Sequence, residues 1–348
     1  FSHMQFEYQA YSRAKSKHSS DLIPDIRLLW KALNTERADS LAGYFRKPAL
    51  RRAYLGYYLP LYVSKIASLL ESLPISWEKP SILDLGAGPL SATWAAQRVY
   101  GQLGECMAVD REIGAMRSGF EFVEELTGQR TPVRLVQANL KGPTYFWKPS
   151  FKPDLVIMAH VLNEFGSGAR HLEAKLSLIE SAMALLGSQG VLLIVEPAAR
   201  VMARDLMALR DQIMAQGEYR ILAPCPQIDR CPLLVNRENW CHRELKVERS
   251  AELKKVDQTI GFDREFLKCS YLVLARRDYE QKASHERVVS GLMTAKGIHR
   301  RYVCTPEGLL TAAERVEPGH AILRDLMRGD AVQMQKWSKN LVKISKES

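Results

Sequence analysis

Three cysteines, Cys225, Cys231 and Cys241, fall within seventeen positions. Pro224 and Pro226 flank the first, Pro232 follows the second, and Trp240 and His242 flank the third. Thiolates are soft ligands that select zinc or iron–sulfur clusters. Prolines stiffen such a loop and carry no N–H of their own, leaving neighbouring N–H groups free to face sulfur. Five residues separate the first pair and nine the second, wider than the two to four of zinc knuckles. A four-ligand centre needs one more donor. Cys304 is the first candidate, because it ends an expected strand before the turn Thr305-Pro306-Glu307-Gly308. His242 is the other option, and Cys269 reads as packed within its strand. The competing reading is a set of buried thiols without a ligand. Six cysteines in a chain of 348 residues, with no secretory leader in view, do not read as a disulfide framework.

A second group of chemistry-bearing residues is Ile82-Leu83-Asp84-Leu85-Gly86-Ala87-Gly88-Pro89-Leu90. An apolar run ends in glycines, and a helical pattern opens at Ser91. Glycine lets the backbone turn sharply and approach a ligand, and a helix N-terminus supplies N–H donors. Asp110 ends the next apolar run, 26 positions after Asp84. A carboxylate there can accept both ribose hydroxyls of a nucleoside. A dinucleotide or S-adenosylmethionine fits this layout. An acid two residues before Gly86, and Leu90-Ser91 where a dinucleotide fingerprint wants glycine, favour S-adenosylmethionine. Asp-x-Gly-x-Gly is the arrangement of class I methyltransferases, whose acid helps to hold the turn and the cofactor's amino group. Asn139, beside Leu140, can meet an adenine amino group or simply cap a turn. His160 follows the fourth apolar run, where a methyl acceptor normally sits. It is a candidate base, with a packed or cofactor-lining role as the alternative. The candidate cofactor set is Asp84, Gly86, Ala87, Gly88, Pro89, Asp110, Arg111, Asn139, Leu140 and His160. There is no Asn-Pro-Pro-Tyr motif and no cysteine placed for cytosine C5 chemistry, so no catalytic residue is assigned.

The elements that must position these groups follow from periodicity. Residues 1–75 read as a helical N-terminal region, with Phe1-Ser2-His3 resembling a cloning remnant and Pro60 near a helix start or kink. Residues 76–221 alternate strand and helix as the core. Strands are expected at 81–85, 106–110, 133–137, 154–160 and 190–196, and helices at 91–100, 114–126, 171–186 and 200–216. This alternation predicts an α/β fold with a mostly parallel sheet covered on both faces. Residues 222–250 form a Cys-rich metal-binding insertion. Residues 251–310 hold the last strands of the core, at 269–275 and 300–304, and a helix over 250–259 with Ser250 as N-cap. Residues 311–348 read as a basic tail.

The formal net charge is +10, and it is unevenly spread. Residues 1–75 carry 11 basic and 6 acidic side chains, 76–241 carry 17 and 18, and 242–348 carry 21 and 15. The excess lies on the flanks of a neutral core, which favours an anionic partner. Arg46, Lys47, Arg51 and Arg52, interleaved with Tyr44, Phe45, Tyr54, Tyr57 and Tyr58, form a candidate RNA-binding segment. The competing reading is a solvated helix face with buried tyrosines. No DNA-binding motif is present, and no run approaches the ~20 apolar residues of a membrane span.

Taken together these motifs resemble a known family. Tyr54-Leu55 through Pro60, Asp84-Leu85-Gly86-Ala87-Gly88-Pro89 with Trp94-Ala95, His160-Val161-Leu162-Asn163-Glu164 and Val195-Glu196-Pro197 carry the first part. Pro224-Cys225-Pro226, Cys231-Pro232, Trp240-Cys241-His242, Ser270-Tyr271-Leu272-Val273-Leu274 and Cys304 with Gly308 complete it. The chain resembles, from about residue 40 to 335, the methyltransferase-like small-subunit ribosome assembly family of mitochondria and bacteria. The resemblance implies a class I S-adenosylmethionine-dependent methyltransferase (Rossmann-like) fold and association with the small ribosomal subunit and its rRNA. It also implies a four-iron, four-sulfur (4Fe-4S) cluster on Cys225, Cys231, Cys241 and Cys304, with zinc as the alternative metal. Leu90 and Ala198 stand where the family usually has glycine. The expected function is a ribosome assembly factor that binds S-adenosylmethionine. The alternatives are an active RNA or protein methyltransferase with structural zinc, and a non-catalytic RNA-binding scaffold. A bacterial cytoplasmic member is expected from the lack of a transit-peptide pattern, or a mitochondrial matrix protein if the source is eukaryotic.

Overall fold

Apolar positions recurring at three and four build the N-terminal helices α1 (His3–Ser16), α2 (Ile23–Thr35), α3 (Pro48–Ala53) and α4 (Leu59–Glu71). The computed structural model describes residues 3–16, 21–35, 44–226, 229–262, 266–280, 285–316, 322–338 and 341–346. A π-turn, Tyr54–Tyr58, joins α3 to α4 without a break. The wider turn lets Leu59 N–H reach Tyr54 O, and Pro60, which has no N–H to place, follows directly.

Strand and helix then alternate: β1 (Ile82–Leu85), α5 (Ser91–Tyr100), β2 (Cys106–Asp110), α6 (Ile113–Thr127), β3 (Arg134–Gln137), β4 (Leu155–Ala159), α7 (Leu172–Leu185), β5 (Val191–Pro197) and α8 (Arg200–Gln216). Next come β6 (Tyr219–Ala223), β7 (Arg243–Lys246), α9 (Ala251–Ile260) and β8 (Phe266–Arg276). The chain ends with β9 (Glu286–Val288), β10 (Met293–Ala295), β11 (Ile298–Thr305), β12 (Gly308–Arg315), α10 (Ile322–Asp325), β13 (Ala331–Ser338) and β14 (Leu341–Lys346). These elements form two compact units. Unit 1 comprises residues 1–166, 177–190 and 246–267, and unit 2 the remainder.

In unit 1, β3-β2-β1-β4 run parallel. All four residues of β1 are buried, as a strand covered on both faces requires. Gly56 lets α1 approach the π-turn, because a Cβ there would lie 2.5 Å from Ala14 Cβ. A buried ion network supports the same unit. Arg249 pairs with Glu7 at 2.8 Å and with Asp257 at 3.0 Å, and Tyr57 Oη donates to Asp257 Oδ1. Ser250 caps α9 by accepting the Leu253 N–H at 3.3 Å, as its sequence position predicts.

In unit 2, β8 runs antiparallel to both β5 and β6, and β7 also pairs with it. A second, antiparallel sheet has the order β10-β11-β9-β13-β14, with β12 on β11. Val288, Val303, Ala312, Leu323, Leu326 and Val332 form its buried core. The structure differs here from the sequence reading. Residues 311–348 are not a tail, since most of β12 and all of β13 and β14 lie there. Nor do the strands after residue 276 complete the core sheet. Buried positions of β11 are filled by His299, Arg301 and Thr305 as well as Val303, so the sequence shows little apolar alternation there.

Candidate functional site

The glycine turn of unit 1 is built around two carboxylates. Asp84 lies inside β1, and its Oδ2 accepts the Thr93 N–H at 3.1 Å and the Thr93 hydroxyl at 2.7 Å. It thereby ties the strand to the first turn of α5. Asp84 Oδ1 is buried with no hydrogen-bond partner. Burial raises the Asp84 pKa to about 7, against the opposing effect of the Thr93 hydrogen bonds, and the nearby Asp110 raises it further. Asp110 ends β2. Its Oδ2 accepts the Gly88 N–H at 2.8 Å and its Oδ1 the Glu112 N–H at 2.8 Å. Gly86 and Ala87 donate to Val109 O at 2.8 and 3.0 Å. Gly86 and Gly88 both have positive φ. A Cβ at Gly88 would meet nothing closer than the Phe45 ring, at 3.9 Å, so the backbone there is open to a neighbour.

Two further residues complete the turn. Leu90 adopts a left-handed conformation, φ 67° and ψ 28°, which costs a non-glycine residue about 1–2 kcal/mol. Its side chain is fully buried, so burial offsets the strain. Gly119, in the middle of α6, has no sequence motif to announce it. A Cβ there would lie 2.1 Å from Pro89 O, so α6 packs directly on the backbone of the turn.

The remaining cofactor candidates divide. Arg111 pairs with Glu164 at 3.4 Å. Asn139 is exposed and its Oδ1 accepts the Lys141 N–H at 3.0 Å, the turn-capping arrangement; Leu140 follows it, half-buried. His160 has φ 62°, and its Nε2 lies 2.8 Å from Lys65 Nζ. Lys65, which sequence reasoning missed, is 4 % exposed. Burial and the Lys65 charge hold the His160 pKa well below its usual value. Nε2 of the neutral ring therefore accepts from the ammonium. The Tyr62 and His160 rings lie 4.8 Å apart, tilted by 39°, and Tyr54, Tyr58 and Tyr62 stand about 6 Å from one another.

That aromatic group corrects one expectation. Tyr54, Tyr57 and Tyr58 are 8 %, 1 % and 3 % exposed, so they pack inside unit 1 and do not interleave with the basic residues at the surface. The side chain of Tyr44 lies outside the described residues. Arg46 is exposed but pairs with Glu112 at 2.8 Å. Arg51 donates to Phe45 O at 3.3 Å, and Arg52 pairs with Asp25 at 3.2 Å. Lys47 is exposed just before α3.

In unit 2, Cys225, Cys231, Cys241 and Cys304 line one cavity. It offers about 50 Å³ to the centres of water-sized groups, against roughly 10–15 Å³ for a single water. None of the six cysteines forms a disulfide. Cys269 lies buried in β8 and does not line the cavity. Burial raises the Cys241 pKa well above its usual value, and Cys225, Cys231 and Cys304 raise it further. Burial lifts Cys231 to about 11. Cys225 is also raised by burial, with Arg210 and Arg287 opposing. His242 lines the cavity too, but its Nε2 faces Glu244 at 3.7 Å and its Nδ1 faces Arg328 at 3.5 Å. Burial and Arg328 lower its pKa to about 4. No three of the described His, Cys, Asp and Glu side chains converge as a single metal ion requires.

Local hydrogen bonds hold the cysteine segment in place. Asp211, near the end of α8, accepts the Cys231 N–H at 3.0 and 3.1 Å, and its neighbour Arg210 pairs with it at 2.7 Å. Arg204 donates to the carbonyls of Leu234, Asn236 and Asn239. Trp240 Nε1 donates to Ala198 O at 2.9 Å, and Ser270 Oγ to Cys241 O at 2.7 Å. Arg204, Arg210 and Asp211 are functional supports that sequence reasoning missed.

Parallel strands in unit 1, with a glycine turn after the first and acids in the first and at the end of the second, and an antiparallel late strand in unit 2 make this a mixed α/β protein. Residues 52–317 match the family described as mitochondrial small ribosomal subunit Rsm22, and the chain belongs to that family. It is 24% identical over 268 residues to the human protein named ribosome assembly protein METTL17, mitochondrial. The match covers 73% of this chain and 54% of that protein, so the chain spans about half the length of its curated relative. Among solved structures, magnesium protoporphyrin IX methyltransferase from Synechocystis PCC 6803 is 13% identical, with a TM-score of 0.38 over 74% of this chain and 98% of that one. An O-methyltransferase family protein from Burkholderia thailandensis is 15% identical, with a TM-score of 0.38 over 79% and 70%. No helix among the described residues is long and apolar enough to cross a membrane.

Proposed function

We propose that this protein is an assembly factor of the small ribosomal subunit that binds S-adenosylmethionine in unit 1 and a 4Fe-4S cluster in unit 2. The observation that carries the reading is the shared cavity of Cys225, Cys231, Cys241 and Cys304 in a chain of this family. The donor set suits the cluster. Four thiols face one space, Arg210, Arg243 and Arg287 line it with positive charge, and burial makes unliganded thiolates costly. Four thiolates at one site can hold a polynuclear cluster or a single zinc ion. The cluster would supply a structural tie for the segment between β6 and β7, and its loss would loosen that segment.

The glycine turn suits S-adenosylmethionine. Asp84 Oδ1, buried without a partner, is an acceptor for the cofactor's ammonium, and Asp110 retains a lone pair on each oxygen for ribose hydroxyls. Gly86, Ala87, Gly88 and Pro89 would lie along the cofactor, with Arg111, Asn139, Leu140 and His160 at the rim. The cofactor is the methyl donor of this fold type. No catalytic residue or methyl acceptor is assigned. Arg46 and Lys47, with Arg51 and Arg52 behind them, would face phosphates of the rRNA.

The test is calorimetry with S-adenosylmethionine and iron and sulfide analysis on anaerobically purified protein, together with sedimentation on small subunits. Binding of both cofactors and of subunits is expected. A protein that takes up cofactor and cluster but never sediments with subunits would refute the assembly reading.

A further inference from the structure

The loop between β3 and β4 presents a surface that neither site uses. Tyr145 and Phe146 are 71 % and 55 % exposed, and their ring centroids are 4.2 Å apart. Two large aromatic rings are thus held side by side in water. The loop that holds them is firmly built. Asn139 O accepts the Gly142 N–H at 2.9 Å, Pro143 O the Phe146 N–H at 3.2 Å, and Thr144 O the Trp147 N–H at 3.0 Å. Trp147 is 1 % exposed and anchors the loop beneath the pair. Residues 138–153 contain Lys141, Lys148 and Lys152, all exposed, and no Asp or Glu. The next acid, Asp154, is turned to the Ser81 N–H at 2.8 Å.

We propose that Tyr145 and Phe146 form a stacking platform for an unpaired base of single-stranded RNA, with Lys141, Lys148 and Lys152 meeting its phosphates. Every base has a π-face, so an exposed aromatic pair inside an acid-free lysine segment binds RNA without reading its sequence. Duplex RNA does not fit, because its bases are stacked on one another and closed to the rings. Preorganisation by Trp147 and the turn spares the ordering cost that a mobile loop would pay on binding. The inference rests on the rRNA reading above and names a contact that the basic helix segment does not supply.

The test compares the full chain with Tyr145→Ala/Phe146→Ala and with Tyr145→Phe/Phe146→Tyr. Fluorescein-labelled oligouridine, naked small-subunit RNA and intact subunits are the three binding partners. The alanine pair is expected to weaken oligouridine binding by roughly 5- to 150-fold, the equivalent of one stacked base. Its salt dependence should be unchanged, and the aromatic swap should bind as the original does. Lys141→Glu/Lys148→Glu/Lys152→Glu should instead flatten the salt dependence by about two units of slope. Unchanged RNA affinity in the alanine pair overturns the platform while the rRNA reading stands. Failure of the original protein to bind either RNA overturns both. Loss of subunit binding alone, with RNA binding intact, assigns the rings to a ribosomal protein and also overturns the platform.

Discussion

The glycine turn of unit 1 and the cysteine cavity of unit 2 are opposite solutions to holding a ligand. The turn is complete in itself. Asp110 fixes the Gly88 N–H, Thr93 fixes Asp84, and a single carboxylate oxygen is left over. In the cavity, burial favours the protonated thiols of Cys225, Cys231 and Cys241, so a bound metal would have to displace their protons. On the proposed reading the turn gains little order from its ligand, whereas the segment around the cavity would be tied down by its cluster. The difference teaches that loss of each cofactor should have a different consequence: loss of affinity in unit 1, and loss of local order in unit 2.

The largest expected effect is on the cavity. Cys241→Ser should abolish iron and sulfide uptake and make the segment around residues 229–242 sensitive to protease, while S-adenosylmethionine affinity changes less than twofold. Metal analysis and limited proteolysis check this. Retained iron with unchanged protection would remove the contrast between the sites. Next is Gly119→Ala, whose methyl group meets the Pro89 backbone. It should destabilise the protein by about 1–3 kcal/mol and sharply weaken S-adenosylmethionine binding, leaving iron content intact. Thermal unfolding and calorimetry report the two effects separately.

A smaller effect is expected from Asp84→Asn. Loss of a charged hydrogen bond of about 1.5–3 kcal/mol corresponds to roughly 10- to 150-fold in cofactor affinity. The stability of the ligand-free protein should not fall, since the substitution removes a buried acid. The smallest effect is a pH slope. With a pKa raised to about 7, Asp84 carries a proton below that pH, and an ammonium ligand must displace it. Affinity should therefore be full above about pH 7.5 and fall as pH drops through 7, by at most tenfold per unit. The same shift makes ligand-free stability greatest below the unfolded pKa and lost as pH rises through 7. Asp84→Asn should flatten both trends.

How much of this was readable in the sequence follows the same contrast. The glycine turn is one contiguous motif, and α5, β2 and α8 start and stop where the periodicity places them. The proposed cavity ligands span positions 225 to 304, and the residue types alone left Cys304 and His242 open as the fourth. The ring contacts of His242 with Glu244 and Arg328, and the wall shared by the four cysteines, favour Cys304. Gly119 and Lys65 could not be read, because their roles depend on neighbours 30 and 95 positions away. The tyrosines misled for a related reason. Their helical spacing shows a face, and packing decides whether that face meets solvent or the core. Among the later strands the sequence reading placed β11, at 300–304, but not β9, β10, β12, β13 or β14, because their short sequences carry little apolar alternation.

The central claim is that one chain keeps a self-sufficient cofactor turn and a metal-dependent cavity. It is tested most directly by iron, sulfide and zinc analysis of anaerobically purified protein, beside Cys241→Ser prepared in the same way. The account expects iron and sulfide in equal amounts, four of each per chain, with no zinc, and neither iron nor sulfide in the variant. One zinc per chain, or the same metal content in both proteins, would contradict it.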